Sequence, residues 1–525
     1  MRLPSPIAWL SLVYVGSLII FAFSHTFLHT TTCKPKQLSS HAELLAESTR
    51  SPEPSIVVVL KTELAPGEQV SAKSVLRDGV VLGKSVSLSS YQDSCVKDFG
   101  FPLIERWQKA GKTYCGAQGV VSKSDLWSEV RCHRILQTGH GGHDNICEVR
   151  NLVIKYAMLG QGVTGGSEDS EYFTFTDALG ARCQKDSELF DLNNFQLENK
   201  PIFSALRASP QEDVSGTCSE WVEEPTLFVT RQDYANMYHA TADFMNAYLT
   251  LHVFGLESLI SKDGPGIRVV ILDAHAKTPI EDVWRTVFTK TRPFEFAGAL
   301  REARKETCYR RAVFSLPNGS CMFYKDWGST NRCGGAGGYD LFKGYANTVL
   351  AAYDLLHEPV PTQPVVTFLW RRDYVAHPRD HGKRMDKVRN EEELLQKISS
   401  SDGVLVSGVD LSSMTVREQL QTIRRSNIVV SMHGAGLTHL MYLPDEAVVV
   451  EMFPHGVSNG PTGRKQHYRN LSRWCGKVYL AWRNTIEENH DRWSTLVDWN
   501  SFGPVMDAAI RIARMFHLGA DMGGL

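Results

Sequence analysis

The sequence predicts an α/β protein: two Rossmann-like, doubly wound domains facing each other across a cleft, behind an N-terminal transmembrane helix and a Cys-rich cap. Three observations predict it. Apolar β-branched runs alternate with helix-patterned segments after residue 364, as in a parallel sheet covered on both faces. One run feeds a glycine-containing turn, His433-Gly434-Ala435-Gly436, and the next run ends at Glu451. Residues 7–28 carry no Asp, Glu, Lys or Arg.

The regular part comes last. Strands are expected at 365–369, 403–407, 427–432 and 447–452, with helices at 391–398, 416–425 and 437–442 between them. A Pro-punctuated linker, 357–364, precedes this C-terminal domain (365–500), and a helix and tail (501–525) follow it. The N-terminal domain, 56–356, shows weaker αβ signals. It has strands near 56–60, 226–230 and 268–273 and helices near 234–253 and 341–356. Within it, 91–155 reads as a loop-rich cap stapled by cysteines, 161–216 as an irregular insertion, and 306–338 as a loop. Two such domains with a cleft between them make the GT-B arrangement.

A chain of 525 residues is too long for one ordinary domain. Its hydrophobic content of 42% suits full cores, and its net charge of −2 gives no footprint for nucleic acid. An apolar helix over 7–28 spans roughly 30 Å of hydrocarbon. It is longer than a cleaved signal's apolar region of ~7–15 residues, and no small-x-small site follows, so a signal anchor is expected. Residues 1–6 then form a short tail and 29–55 a polar stem, and the bulk of the chain is lumenal. Asn318-Gly-Ser and Asn470-Leu-Ser match the N-glycosylation pattern. None of the eleven cysteines forms a C-x-x-C pair, so disulfides are expected, with Cys33 the odd one out. Local bridges are plausible within Cys95, Cys115, Cys132 and Cys147 and within Cys308, Cys321 and Cys333.

The turn carries the chemistry. A strand leading through glycines into a helix start presents unpaired backbone N–H groups and a positive helix end to a phosphate. Glu451, at the carboxyl end of the next strand, is placed to accept from ribose hydroxyls. Arg371 and Arg372 follow the strand 365–369, where a guanidinium fork suits a diphosphate. Lys383 and Arg389 are secondary candidates, and Thr438 and His439 are candidates to line the same pocket. His239 and Asp243 are four apart on a predicted helix and share one face. The chain has no Asp-x-Asp pair to hold a divalent ion, so metal-independent chemistry with no cofactor is expected at this phosphate site.

Three blocks carry a resemblance: residues 218–248 (CSEWVEEPTLFVTRQDYANMYHATADFMNAY), residues 371–393 (RRDYVAHPRDHGKRMDKVRNEEE) and HGAGLTH at 433–439. They resemble the plant Golgi β-1,2-xylosyltransferases of N-glycan processing, in glycosyltransferase family 61. The resemblance implies a single-pass Golgi membrane protein. It implies transfer of xylose from UDP-xylose to the 2-hydroxyl of the core β-mannose of an N-glycan, with inversion. It also implies Asp243 as the base, with His239 orienting it, sharing the proton or touching the donor. Trp221, Tyr234, Tyr238 and Tyr248 are candidates to stack on sugars. Three alternatives stay open: a family member using UDP-arabinose or UDP-N-acetylglucosamine on a polysaccharide or Ser/Thr acceptor, a silent lumenal glycan-binding protein, and a membrane-tethered scaffold.

Overall fold

The computed structural model describes residues 95–517 outside several loops, among them 118–125, 137–142, 187–198, 326–332, 374–385 and 457–465. Before residue 95 it describes the short strands Ile56–Val58 and Val80–Leu82, which pair in parallel. The expected tail, transmembrane span and stem (1–6, 7–28 and 29–55) lie outside the described residues. Among the described residues no helix is long and apolar enough to cross a membrane.

The C-terminal half is a five-stranded, all-parallel sheet. Its strands in chain order are Val365–Leu369, Leu405–Val409, Ile428–Met432, Val448–Phe453 and Val478–Arg483, and they stack 2-1-3-4-5. The middle strands are buried on both faces, which is why they read as unbroken apolar runs. One face packs Phe368, Val430 and Val450 against Phe502, Met506 and Ala509 of the helix Trp499–His517. That helix therefore belongs to the domain core and is not a tail after it. The helix Val416–Arg424 opens with a capping box in which Thr415 and Glu418 satisfy each other's backbone N–H. In a 2-1-3-4-5 sheet the first and third strands are neighbours whose connections leave in opposite directions. Beyond the carboxyl ends of those two strands is where open sheets of this order bind ligands.

The N-terminal half holds one mixed sheet of eleven strands. Its parallel part comprises Thr226–Val229, Arg268–Ile271, Phe294–Phe296 and Glu306–Phe314, stacked 3-2-1-4, again with a switch point between the first strand and its neighbour. Antiparallel strands His143–Lys155, Glu129–Leu136 and Gly111–Gly116 extend it beyond Glu306–Phe314. This half is therefore not a purely doubly wound sheet.

Two expectations need correcting here. The stretch 91–155 is a helix (Pro102–Lys109) followed by a β-meander, and the stretch from Glu306 contains a central strand. Both hide their strands behind charge that finds partners far along the chain. Arg311 Nε donates to Glu148 Oε2 at 2.7 Å, and the Arg310 guanidinium lies 3.7 Å over the Trp221 ring. Trp221, a candidate to stack on sugar, thus stacks on an arginine.

The described disulfides are Cys95–Cys333, Cys115–Cys183, Cys132–Cys147 and Cys218–Cys308, while Cys321 and Cys475 are free and buried. Only Cys132–Cys147 follows the expected local pattern; Cys308 and Cys333 pair outside their cluster. A single apolar cluster runs through both halves, with Phe99, Tyr238, Met245 and Tyr345 from one and Leu420, Val429, Leu440 and Trp474 from the other.

Candidate active site

At the C-terminal switch point the strand Ile428–Met432 ends in His433, and the adjacent strand Val365–Leu369 runs through Trp370 into Arg371. Arg371 Nη1 donates to the His433 carbonyl at 2.6 Å and stands 3.9 Å from Asp386. Gly434 is extended (φ 168°), so no left-handed backbone demands glycine there. A Cβ at Gly434 would meet Arg371 Nη1 at 3.1 Å, so the missing side chain makes room for the guanidinium against the turn. Around Gly436 the nearest atoms to an added Cβ are 3.9 Å away. The 3₁₀ helix Ala435–Tyr442 begins immediately, and the first amides of such a helix have no intrahelical acceptor.

Glu451 lies opposite Ser431 on the neighbouring strand. Its Oε1 accepts from His433 Nδ1–H at 2.6 Å and its Oε2 from the Tyr479 hydroxyl at 2.5 Å. The carboxylate is 2% exposed, so it orients His433 from below and does not face a ribose. The His433 ring stacks on Phe453 and meets His467 and Tyr468 edge-on, at centroid distances of 5.5, 5.0 and 5.5 Å.

At the N-terminal switch point the strand Glu306–Phe314 leads through Pro317 to Asn318, which packs against the helix Met237–Val253. Asn236 caps this helix by accepting the Tyr238 N–H. Asn318 Nδ2 donates to Asp243 Oδ1 at 2.7 Å and to the His239 carbonyl at 2.8 Å, which fixes the amide orientation. Its Oδ1 accepts from the Tyr324 hydroxyl at 2.6 Å. A hydroxyl has one proton, so the 2.5 Å contact between Tyr324 and His239 Nδ1 is a bond donated by Nδ1–H. The chain Asp243–Asn318–Tyr324 thus sets the His239 tautomer and leaves Nε2 as the acceptor nitrogen. Asp243 is 2% exposed.

The two switch points meet through a run of rings. Tyr238 lies 5.1 Å from His467 and 5.7 Å from Tyr468, and its other edge meets His239 at 5.8 Å. Burial pushes the Tyr238 and Tyr468 phenols well above their ordinary range, so both stay neutral.

Several of the other expected site residues stand apart from this centre. Arg372 makes a two-toothed bond to Glu391, at 2.6 and 2.5 Å, so its fork is already taken by a carboxylate. Arg389 reaches the Asn489 carbonyl and lies 3.9 Å from Asp491. Lys383 lies outside the described residues. Ala435 is half-buried in the turn, whereas Thr438 is fully buried one turn further in. His439 is buried between the Gly436 carbonyl and Gln419, and burial pushes its pKa down to about 4, so it braces the helix from inside. Tyr234, Tyr238 and Tyr248 are core residues.

Both glycosylation patterns are corrected by burial. Asn318 and Asn470 are 0% exposed, and both amide hydrogens of Asn318 are spent on His239 and Asp243. A glycan on either would have no room. Reading the sequence alone missed Asn318, Tyr324, His467, Tyr468 and Tyr479 as site residues. The polar run 466–470 hinted at His467 and Tyr468, whereas Tyr324 and Tyr479 sit in locally apolar stretches. Among the described residues no group of three or more His, Cys, Asp or Glu is gathered as for a metal ion.

The chain is thus a mixed α/β protein with two parallel-strand switch points, one carrying Arg371 and the His433 turn, the other His239 held by Tyr324. The chain carries a glycosyltransferase family 61 domain: the Glycosyltransferase 61 family model matches residues 237–450. It is 30% identical over 287 residues to the β-1,2-xylosyltransferase RCN11 of Oryza sativa subsp. japonica, covering 50% of each chain. To the β-1,2-xylosyltransferase of Arabidopsis thaliana it is 26% identical over 316 residues, 54% of this chain and 55% of that one. It is also 30% identical over 399 residues to the EGF domain-specific O-linked N-acetylglucosamine transferase of Gallus gallus, 74% of this chain and 65% of that one. The chain thus spans about half the length of the xylosyltransferases it matches.

Proposed function

We propose that this protein is an inverting glycosyltransferase that moves xylose from UDP-xylose to the 2-hydroxyl of the core β-mannose of N-glycans. In this reading the two halves form the lobes of a GT-B enzyme whose cleft holds donor and acceptor. The observation that carries it is the convergence of Arg371, the His433 turn and the His239 tautomer lock on one run of touching rings.

The donor diphosphate lies at the C-terminal switch point. Arg371, the amides of Gly434, Ala435 and Gly436, and His433 Nε2 face the oxygens on which charge develops as UDP leaves. His433 is held by Glu451, which leaves Nε2 turned to the ligand. His239 Nε2 takes the proton of the acceptor hydroxyl as its oxygen bonds to the anomeric carbon. The bond from that carbon to the phosphate oxygen breaks, and UDP departs with the electron pair. Asp243 becomes a positioning residue in place of the base expected from sequence. The charge that neutralises the leaving group comes from the chain itself, so turnover needs no divalent cation. The four disulfides support an oxidising compartment, and the Golgi lumen behind a signal anchor is the setting this function requires.

A second reading is transfer of N-acetylglucosamine to a Ser/Thr hydroxyl of an EGF domain. The longer aligned stretch, 74% of this chain, favours it. A panel separates the two: UDP-xylose, UDP-arabinose and UDP-N-acetylglucosamine, each against an N-glycan with terminal N-acetylglucosamine and against a folded EGF domain, with linkage analysis of products. Xylose on the β-mannose of the N-glycan is the expected product. N-acetylglucosamine on the EGF domain replaces the first reading with the second, and no transfer with any pair removes both.

A further inference from the structure

The opposite edge of the C-terminal sheet holds a cavity of about 350 Å³ that the transfer reaction does not use. It lies at the amino ends of the parallel strands. Arg424 closes the helix before Ile428–Met432, Leu443 to Asp445 precede Val448–Phe453, and Cys475 and Lys477 precede Val478–Arg483. The helix Asp340–Ala352 roofs it with Lys343, Asn347 and Leu350, residues three to four apart and hence on one stripe.

Its charges do not balance. Three cations, Lys343, Arg424 and Lys477, share the wall with one carboxylate, Asp445. Lys477 Nζ donates to the carbonyls of Leu443 and Pro444 at 2.9 and 2.8 Å and stands 3.6 Å from Asp445. Lys343 Nζ lies 3.4 Å from the same carboxylate. Arg424 has a long bond to the Leu356 carbonyl, 3.5 Å, and among the described residues its buried Nε–H has no acceptor. A buried donor left without a partner is destabilising unless something else fills the place. Burial pushes the Lys477 pKa down to about 8 despite Asp445, and Arg424 and Lys343 push the same way. Phe342, Ala346, Leu350, Met441 and Leu443 supply an apolar wall beside these cations.

We infer that this cavity is a second ligand site, separate from the donor crevice, for a compact molecule bearing a phosphate-type oxyanion. The oxyanion sits among Arg424, Lys477 and Lys343, and the body of the ligand lies on the apolar wall. Small-molecule pockets run from about 300 Å³ upward, so the occupant is small. Lys343 and Asn347 come from one half of the protein and Arg424 and Lys477 from the other, so an occupant ties the halves together.

The test uses inorganic pyrophosphate and isothermal titration calorimetry on the full chain carrying Arg371→Ala, which weakens binding in the donor crevice. One-to-one binding is expected to persist in this background and to weaken about tenfold or more when Arg424→Gln is added, the loss typical of one charge-assisted bond. Affinity is expected to fall as pH rises through about 8, as Lys477 loses its proton in the presence of Asp445, Lys343, Arg424 and Cys475. If Arg424→Gln does not fold, Lys343→Ala on the rim, with a side chain 35% exposed, gives the same reading. No heat in the Arg371→Ala protein, or binding indifferent to both further substitutions, overturns the inference. Neither result depends on which sugar is transferred.

Discussion

In the proposed mechanism, replacing Tyr324 by Phe isolates the step that makes His239 a base. The ring, which stacks on His239 and meets Tyr238 edge-on, stays in place. What goes is one oxygen serving two bonds, His239 Nδ1–H at 2.5 Å and Asn318 Oδ1 at 2.6 Å. Asn318 Oδ1 is left buried without its donor, a cost of about 1–3 kcal/mol in stability. His239 loses the acceptor that holds its proton on Nδ1, so the form with that proton on Nε2 becomes populated and cannot accept from the acceptor sugar. A positioned general base contributes about 10²–10⁴-fold. His239→Ala should lose most of that factor, and Tyr324→Phe a part of it, roughly 10–100-fold in kcat. KM for the donor should hardly move, because the tyrosine lies at the other switch point. Steady-state kinetics across pH, on protein shown to be folded by thermal melting, provides the assay. An unchanged kcat in folded Tyr324→Phe would refute the tautomer argument. A rise in donor KM with constant kcat would move the residue from catalysis to binding.

Other expectations follow from single contacts. Glu451→Gln should raise donor KM and lower stability by about 1–3 kcal/mol, because the His433 Nδ1–H bond at 2.6 Å weakens and the charge behind it disappears; unaltered kinetics would detach Glu451 from the site. Arg231 pairs with Asp273 at 2.7 Å and Glu281 at 3.0 Å in a buried cluster, so Arg231→Met should cost about 3–5 kcal/mol, measured by denaturant unfolding. A loss below about 1 kcal/mol, the ordinary scale of a surface pair, would mean water reaches those carboxylates. Peptide mass spectrometry of the protein expressed through the secretory pathway should find Asn318 without a glycan, and an occupied Asn318 would contradict the hydrogen bonds assigned to its amide.

The parallel sheet after residue 364 was legible because its strands are buried on both faces, and a run such as Ile428–Met432 needs no distant partner to read as a strand. The strand Val365–Leu369 and the helix Val416–Arg424 lie within a residue of their expected bounds for the same reason. Glu306–Phe314 was not legible. Arg310 and Arg311 in its middle are tolerated because Trp221 and Glu148 wait for them, and neither is near in sequence. The disulfides escaped on similar grounds, since Cys95 and Cys333 are 238 residues apart.

At the site, the Arg371 and His433 positions could be read from strand ends, and the structure brings them into contact. The role of Glu451 could not, because an acidic residue ending a strand looks the same whether it faces a ribose or a buried histidine. The sequon at Asn318 misled for a related reason. The pattern says nothing of burial, and here the amide is the link between Asp243 and Tyr324.

In the proposed mechanism the His433 turn and Arg371 hold a nucleoside diphosphate without a bound cation. UDP binding measured by calorimetry in excess EDTA tests it most directly, with Arg371→Ala as the comparison. One-to-one binding in EDTA, weakened about tenfold or more by Arg371→Ala, is the predicted result. No binding until manganese is supplied, or affinity that ignores Arg371→Ala, would contradict it.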